Sequence, residues 1–319
     1  MFWKYQITPC KNPQNVLYII TPRAEQTAHI HYSFGDIIMN GDKRTWEHTF
    51  AFIGAGNMAS AFIFGLVDKG ACNPGDIIIH RRDASKNGIY LSKGYHICED
   101  YVRTFSTSKF IFLAVKPAQL QAVLQQLASS GADFSDSVFV SVCAAVSCDL
   151  ICRWLGCKVP VVRVMPSTPI TVGLGTCAVS HNEFVPKKDF QLICRMFSAV
   201  AEVSVIPEDM QNAVISVNGS SPAYFYLFVK AMLSAAEQQG ISSSAALPLI
   251  LKTMEGSAEM IRRSACSIDE LIRAVSSPGG TTLAALKVFY DCGFEKTVAD
   301  AMKACTDRAD EIAGALECS

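Results

Sequence analysis

The sequence predicts a doubly wound α/β sheet domain followed by an all-α domain, and three observations carry that prediction. Short, continuously apolar runs recur at βα spacing from His48 onward, the pattern of parallel strands covered on both faces. A glycine turn, Gly54-Ala-Gly56-Asn-Met-Ala59, follows the first run at once and leads into an amphipathic stretch through Val67. Beyond Pro222 the apolar residues fall at helical spacing instead, across Ala223–Gln239, Ala245–Ile261 and Leu283–Tyr290.

The totals bound the function. The 319 residues suffice for two domains and a sizeable core. Half are hydrophobic and 18% are charged, a globular composition. A net charge of −1 argues against a nucleic-acid partner, which needs a basic surplus. No apolar run reaches the ~18 residues of a membrane span, and "AYFYLFVKAMLSAA" is broken by Lys230, so no membrane partner is expected. The thirteen cysteines are scattered, odd in number and without a C-x-x-C pair. Cys148, Cys152 and Cys157 come nearest to a cluster, but their spacing matches no zinc pattern. Buried reduced thiols, no metal and a reducing compartment, the cytoplasm, are therefore expected. Residues 1–47 lack the apolar block of a secretory signal and are thin in arginine for a transit peptide. "NVLYII" and "IHYSF" within them read as strands. The segment is expected to be an accessory extension, or an early start, rather than a functional domain.

The elements then follow in order. "HTFAFI" (His48–Ile53) is a β-rich run before Gly54, and a helix follows it. G-x-G-x-x-A between a strand and a helix is the fingerprint of a Rossmann-type dinucleotide site: Gly54 for the tight turn, Gly56 for close approach of a pyrophosphate, Ala59 for close helix packing. "DIIIH" (Asp76–His80) is the next strand, and it ends in His80-Arg81-Arg82 rather than the acidic residue that holds a ribose 2′-hydroxyl. A cationic end suits the 2′-phosphate of NADP; a solvated arginine pair, with Asp83 neutralising one of them, is the plainer alternative. "KFIFLAV" (Lys109–Val115), "SVFVSVC" (Ser137–Cys143) and "VPVVRVM" (Val159–Met165) complete the strands, and their carboxyl ends are expected to line the cofactor crevice. Ser221-Pro222 is expected to cap and open the first long helix, and Gly240 to close it. Within the helical half, Ser276-Ser-Pro-Gly-Gly-Thr-Thr282 leads into the apolar run Leu283–Leu286. Such a segment opens a helix with backbone N–H groups free for an anion.

Five stretches, "FIGAGNMASA", "FLAVKPAQL", "VRVMPSTPITVGLG", "GSSPAYFYLFVKAM" and "AVSSPGGTTLAAL", occur in an order and spacing that resembles the pyrroline-5-carboxylate reductase family, from Phe50 to Ala313. That family makes proline by reducing a cyclic imine, 1-pyrroline-5-carboxylate, with NAD(P)H. The resemblance implies a Rossmann-type NAD(P)-binding domain over 48–207 and a helical substrate and dimerisation domain over 208–319, assembled as a homodimer or a higher homo-oligomer. It implies NADP (NADPH) as cofactor, with NAD possible. Cofactor contacts would fall on Ile53, Gly54, Ala55, Gly56, Asn57, Met58, Arg81, Arg82, Ala114, Val115, Lys116, Pro117, Cys143, Ala144 and Ala145. The imine acid would meet Ser277, Gly279, Gly280, Thr281 and Thr282, with Thr282 as the catalytic group near the ring nitrogen. Ser167, Ser221, Val146 and Tyr101 stand where the family usually has Asn, Gly, Gly and Asn.

The chemistry agrees with this residue set. A protonated iminium already attracts hydride, so the site must align the reactants, exclude water and anchor a carboxylate. Backbone N–H groups of Gly279, Gly280 and Thr281 would cradle that carboxylate without setting a full positive charge beside the iminium. All six histidines precede the helical half, which leaves no acid–base histidine there for a 2-hydroxy-acid dehydrogenase. A β-hydroxyacid dehydrogenase would use a lysine on the long helix, for which Lys230 stands alone; a snorkelling surface lysine accounts for it better. A related imine reductase and an inactive NADP-binding homologue are the remaining alternatives.

Overall fold

The computed structural model describes residues 6–8, 19–21 and 46–318. Gln6–Thr8 (β1) and Ile19–Thr21 (β2) form an antiparallel pair; "IHYSF" lies outside the described residues. The main sheet is assembled by β3 (His48–Ile53), α1 (Asn57–Asp68), β4 (Ile77–His80), α2 (Asn87–Leu91), β5 (His96–Ile97), α3 (Tyr101–Ser106), β6 (Ser108–Leu113), α4 (Pro117–Ser129), β7 (Val138–Ser141), α5 (Cys148–Leu155), β8 (Val161–Pro166), β9 (Gly175–His181), α6 (Lys187–Ser198) and β10 (Ala201–Val205).

The strands lie in the order β10-β9-β8-β7-β6-β3-β4-β5. From β8 through to β5 every pairing is parallel, as continuous apolar strands demand. β9 is antiparallel to β8, which the apolar runs do not foretell. Only a short helical turn, Thr168–Val172, separates these two strands, and a parallel return needs a much longer crossover.

Alternate residues of each central strand feed opposite faces. Phe50 and Phe52 join Phe110, Phe112, Val162 and Val164 under α1 and α6, through Phe62, Ile63, Leu66, Met196 and Phe197. Ala51 and Ile53 join Ile111, Leu113, Phe139 and Val161 under α4 and α5, through Leu120, Leu124, Ile151 and Trp154. Ring stacking sets the first layer: Phe52 on Phe112 at 4.4 Å and Phe62 on Phe197 at 4.3 Å.

The rest is helical: α7 (Ser221–Gln238), α8 (Ser243–Arg263), α9 (Ile268–Ala274), α10 (Thr281–Asp291) and α11 (Phe294–Glu317). Ser221 is the first residue of α7 rather than its cap, because a π-helical turn, Ile215–Gly219, runs almost directly into it. Gly240, with φ 83°, follows its last turn. By compactness the described chain divides into two units, 46–222 with 301–318, and 223–300 with 6–8 and 19–21. Among the described residues no helix is long and apolar enough to cross a membrane.

At the amino end of the sheet Lys109 is buried with its ammonium 3.6 Å from Asp189 of α6, both side chains 7% exposed. The same ammonium donates to the Asp136 carbonyl at 2.9 Å. Lys109→Met removes the cation and leaves a buried carboxylate without it, which is expected to cost about 3–5 kcal/mol. The midpoint of urea unfolding measures this loss, and Lys109→Met combined with Asp189→Leu should recover most of it.

Candidate functional site

The carboxyl edge of the sheet is built around Gly54. Its φ is 97°, and a Cβ there would lie 2.6 Å from the Ala114 carbonyl oxygen and 3.0 Å from Val115. Both backbone and space therefore demand glycine. The N–H of Gly54 donates to the His80 carbonyl and that of Ala114 to the Ile53 carbonyl, each at 2.9 Å, so the ends of β4, β3 and β6 stop at one level. Gly56 is different: its φ is −73° and a Cβ would meet nothing within 4 Å. Neither conformation nor protein packing asks for a glycine there, and the space beside it is open crevice. Gly56 is the N-cap of α1 and offers no side-chain cap, so the first-turn N–H groups of Asn57, Met58 and Ala59 face that crevice, the arrangement that receives a pyrophosphate.

Arg81 and Arg82 follow β4 directly. Asp83 forms no ion pair with either: it caps the next turn by accepting the Ser85 N–H at 3.0 Å, and its hydrogen bonds with Ser85, with a smaller pull from the Arg81 charge, hold its carboxyl below the ordinary pKa. Among the described residues no carboxylate pairs with either arginine. Arg81 Nε is shielded from water and has no hydrogen-bond partner. A guanidinium left open in this way at the end of the second strand fits a 2′-phosphate.

The next two strand ends are tied to each other. The Cys143 thiol donates to the Val115 carbonyl at 3.1 Å, joining Cys143–Ala145 to Ala114–Pro117, and Lys116 caps α4 with Pro117 at its first position. Burial pushes the Cys143 thiol up to about 12, so it is a structural donor and no nucleophile. Ala145 has φ 62°, the one non-glycine with positive φ among the described residues. Its successors hold it there. Ser147 caps α5 through the Leu150 N–H at 3.1 Å, and Glu208 accepts the Cys148 N–H at 2.7 Å while buried Arg163 reaches the same carboxylate oxygen at 3.2 Å. Beside them a groove of about 960 Å³, bordered by Ser147, Lys158 and Ala313, holds two ion pairs, Arg153 with Glu317 at 3.7 Å and Arg163 with Glu208 at 3.2 Å.

Of the residues expected to touch the cofactor, all lie in this unit, at or just beyond the strand ends or at the start of α1 and α4. Ser60, Tyr90 and Glu208 support this edge and were not singled out from the sequence. Ser60 was readable, lying one helical turn after Gly56; Tyr90 and Glu208 reach the edge only through tertiary packing. Val146 is fully buried. Ser167 is 4% exposed and its hydroxyl accepts the Thr176 N–H at 2.9 Å, locking the β8–β9 connection. Tyr101 opens α3.

The Ser277–Thr282 loop belongs to the helical unit. Gly279 has φ 69°, a left-handed turn that suits glycine. A Cβ on Gly280 would lie 2.6 Å from the Ser277 hydroxyl and 3.0 Å from its carbonyl. The Gly280 N–H donates to that carbonyl at 2.9 Å, so of the three N–H groups expected in the cradle this one serves the turn itself. Gly280 is the N-cap of α10 and has no side-chain cap bond, which leaves Thr281, Thr282 and Leu283 to present first-turn N–H groups. Lys230 is exposed on α7. Among the described residues no group of three His, Cys, Asp or Glu could hold a metal ion.

These features define a pyridine-nucleotide oxidoreductase whose Rossmann-type sheet precedes a helical unit. The family described as pyrroline-5-carboxylate reductase dimerisation matches residues 208–312, and the one described as NADP oxidoreductase coenzyme F420-dependent matches 49–145. The chain is 36% identical over 274 residues to the pyrroline-5-carboxylate reductase of Pseudomonas aeruginosa, covering 83% of this chain and 97% of that one. It is similar to the solved pyrroline-5-carboxylate reductase of Coxiella burnetii, at 32% identity and a TM-score of 0.76, over 83% of this chain and 98% of that one. It shares its fold with the Plasmodium falciparum pyrroline carboxylate reductase solved with NADP bound, at 23% identity and a TM-score of 0.75, over 84% and 99% of the two chains. The chain belongs to the pyrroline-5-carboxylate reductase family.

The strain at Ala145 is testable. A left-handed alanine costs about 1–2 kcal/mol against glycine, offset by about 0.4–1 kcal/mol from the freer unfolded glycine. Ala145→Gly should therefore raise stability by about 0.5–1 kcal/mol, read as a higher urea midpoint; a lower midpoint would mean that the lost methyl packing outweighs the strain.

Proposed function

We propose that this protein reduces 1-pyrroline-5-carboxylate to L-proline with NADPH, and with NADH less well, as a homodimer or higher homo-oligomer in the cytoplasm. The observation that carries the reading is a likeness to pyrroline-5-carboxylate reductases that runs through both units, from the glycine turn at Gly54 to the Ser277–Thr282 loop. The family match that begins at residue 208 supports a substrate and dimerisation role for 208–319, with 48–207 serving the cofactor.

Each group of residues has a physical task. Ile53 to Met58 admit the pyrophosphate at the helix start, and Arg81 with Arg82 take the 2′-phosphate. Ala114 to Pro117 and Cys143 to Ala145 flank the rest of the dinucleotide. When bound, the reduced nicotinamide supplies the hydride. Ser277, Gly279, Gly280 and Thr281 shape the start of α10, whose first-turn N–H groups hold the substrate carboxylate by partial charges alone. Thr282 offers a neutral hydroxyl to the ring nitrogen. No side chain has to remove a proton, because a protonated imine becomes a neutral amine on gaining hydride.

The surface and the free cysteines support the proposed assembly and compartment. The helical unit exposes large apolar side chains, among them Phe225 at 57%, Leu227 at 66%, Leu249 at 68% and Val288 at 61%, more than a monomer ordinarily leaves to water. The described cysteines are all free, which suits a reducing compartment.

Turnover of pyrroline-5-carboxylate with NADPH, with proline as a competitive inhibitor, tests the activity; its absence in folded protein would end the reading. Replacing Arg81 and Arg82 together by Ser should raise the Michaelis constant for NADPH about ten- to a hundredfold, the worth of charged hydrogen bonds, while that for NADH moves little. Thr282→Ala should lower turnover about two- to tenfold, the worth of a neutral hydrogen bond. Thr282→Ser should restore it, and a Ser variant as poor as Ala would remove the hydroxyl's role.

A further inference from the structure

Arg81 lies over the face of Tyr90, its Cζ 5.4 Å from the ring centroid. Tyr90 belongs to α2 and is 3% exposed. Its ring is stacked on Phe64 at 5.3 Å and stands edge-on to Tyr95 at 6.0 Å, so neighbours on two sides fix its plane. The phenol oxygen lies 2.7 Å from Ser60 Oγ. The Ser60 hydroxyl has one proton and two backbone carbonyls to give it to, Gly56 at 2.8 Å and Ala55 at 3.3 Å; with that proton on either carbonyl, the phenol donates to Ser60. A phenol that donates has an electron-richer ring, and an electron-rich face attracts a cation more strongly. Arg81 Nε has no hydrogen-bond partner among the described residues and Asp83 acts on the guanidinium only by charge, without an ion pair, so the ring face is the contact placed to orient it.

We propose that Tyr90 is a specificity-determining positioning residue: its ring sets the plane of Arg81 so that the guanidinium meets the 2′-phosphate of NADP edge-on. Ser60 ties that ring to Gly56. The point that receives the pyrophosphate and the point that receives the 2′-phosphate thus share one rigid path, Gly56–Ser60–Tyr90–Arg81. A long arginine side chain on its own would have to be ordered by the ligand; held on the ring, it is ordered beforehand. The proposal rests on the reading of Arg81 and Arg82 as 2′-phosphate ligands.

The test is calorimetric binding, without substrate, of adenosine 2′,5′-bisphosphate, adenosine 5′-monophosphate, NADPH and NADH to the full chain and to Tyr90→Leu and Tyr90→Phe. Tyr90→Leu should weaken the two 2′-phosphate ligands about three- to tenfold and leave the other two within about twofold. Tyr90→Phe, which keeps the ring, should lose less than Tyr90→Leu. Equal weakening of all four ligands, or of none, overturns the proposal. Should Tyr90→Leu not fold, the near-ultraviolet tyrosine signal decides. The bisphosphate should perturb it in the wild type and not in Tyr90→Phe, and identical changes in both proteins overturn the proposal. The Arg81→Ser, Arg82→Ser variant separates the two levels. If it shows no selective loss of 2′-phosphate ligands, the arginine reading fails; if it is selective while the Tyr90 variants are not, only the role of Tyr90 fails.

Discussion

A side chain at position 54 has nowhere to go, because its Cβ would come within 2.6 Å of the Ala114 carbonyl. That close approach is the constraint on which the carboxyl edge depends. It lets β3 end level with β4 and β6, and it turns the chain into α1 within three residues, so that uncapped N–H groups open on the crevice. The edge is then passed sideways by backbone carbonyls. Ala114 bonds back to Ile53, and Cys143 bonds across to Val115. A buried thiol suits that last step: it is small, weakly polar and held protonated by burial. Further along, Glu208 pins the start of α5 with help from Arg163, and so over-determines the left-handed Ala145.

The parts of this fold legible in the sequence are those where one local pattern suffices. Continuous apolar runs marked β3, β4, β6, β7 and β8, since burial on both faces leaves no polar alternation to confuse with a helix. β5 has only two residues, and β10, "AEVSV", is largely exposed, so neither carries such a run. β9 was hidden by its polar ends in "GTCAVSH". α11 escaped because its apolar residues are diluted by charges that pair along the helix, Lys296 with Asp300 and Lys303 with Asp307. At the site, the glycines and arginines could be read from type and order. The engagement of the Gly280 N–H by Ser277 and the seat of Arg81 on Tyr90 could not, because both depend on geometry that residue type does not specify.

The two anion sites proposed for this chain would use different kinds of recognition for different chemical needs. The end of β4 carries two full charges that form no ion pair with a carboxylate among the described residues, tolerable at a half-exposed strand end where water can still share the load. The start of α10 carries none: its donors are backbone N–H groups and threonine hydroxyls. A doubly charged phosphate rewards guanidinium charge. A carboxylate attached to a ring that must stay cationic until hydride arrives rewards the opposite choice, since a nearby ammonium or guanidinium would oppose the iminium.

The described histidines are placed in the scaffold. His48 and His96 face each other at 4.7 Å at the amino-terminal ends of their strands, away from the carboxyl edge. His80 is held through Nδ1 by the Cys98 carbonyl at 3.0 Å, and His181 packs on Phe190 at 4.2 Å with Nδ1 at the Asn182 carbonyl. Each is occupied as part of the scaffold, and the helical unit holds no histidine at all over 223–300. A reaction that had to take a proton from a hydroxyl would need one of them free at the carboxyl edge. Hydride addition to an iminium does not, and a fold that spends its histidines on sheet packing is consistent with chemistry that asks only for alignment, dryness and an anion cradle.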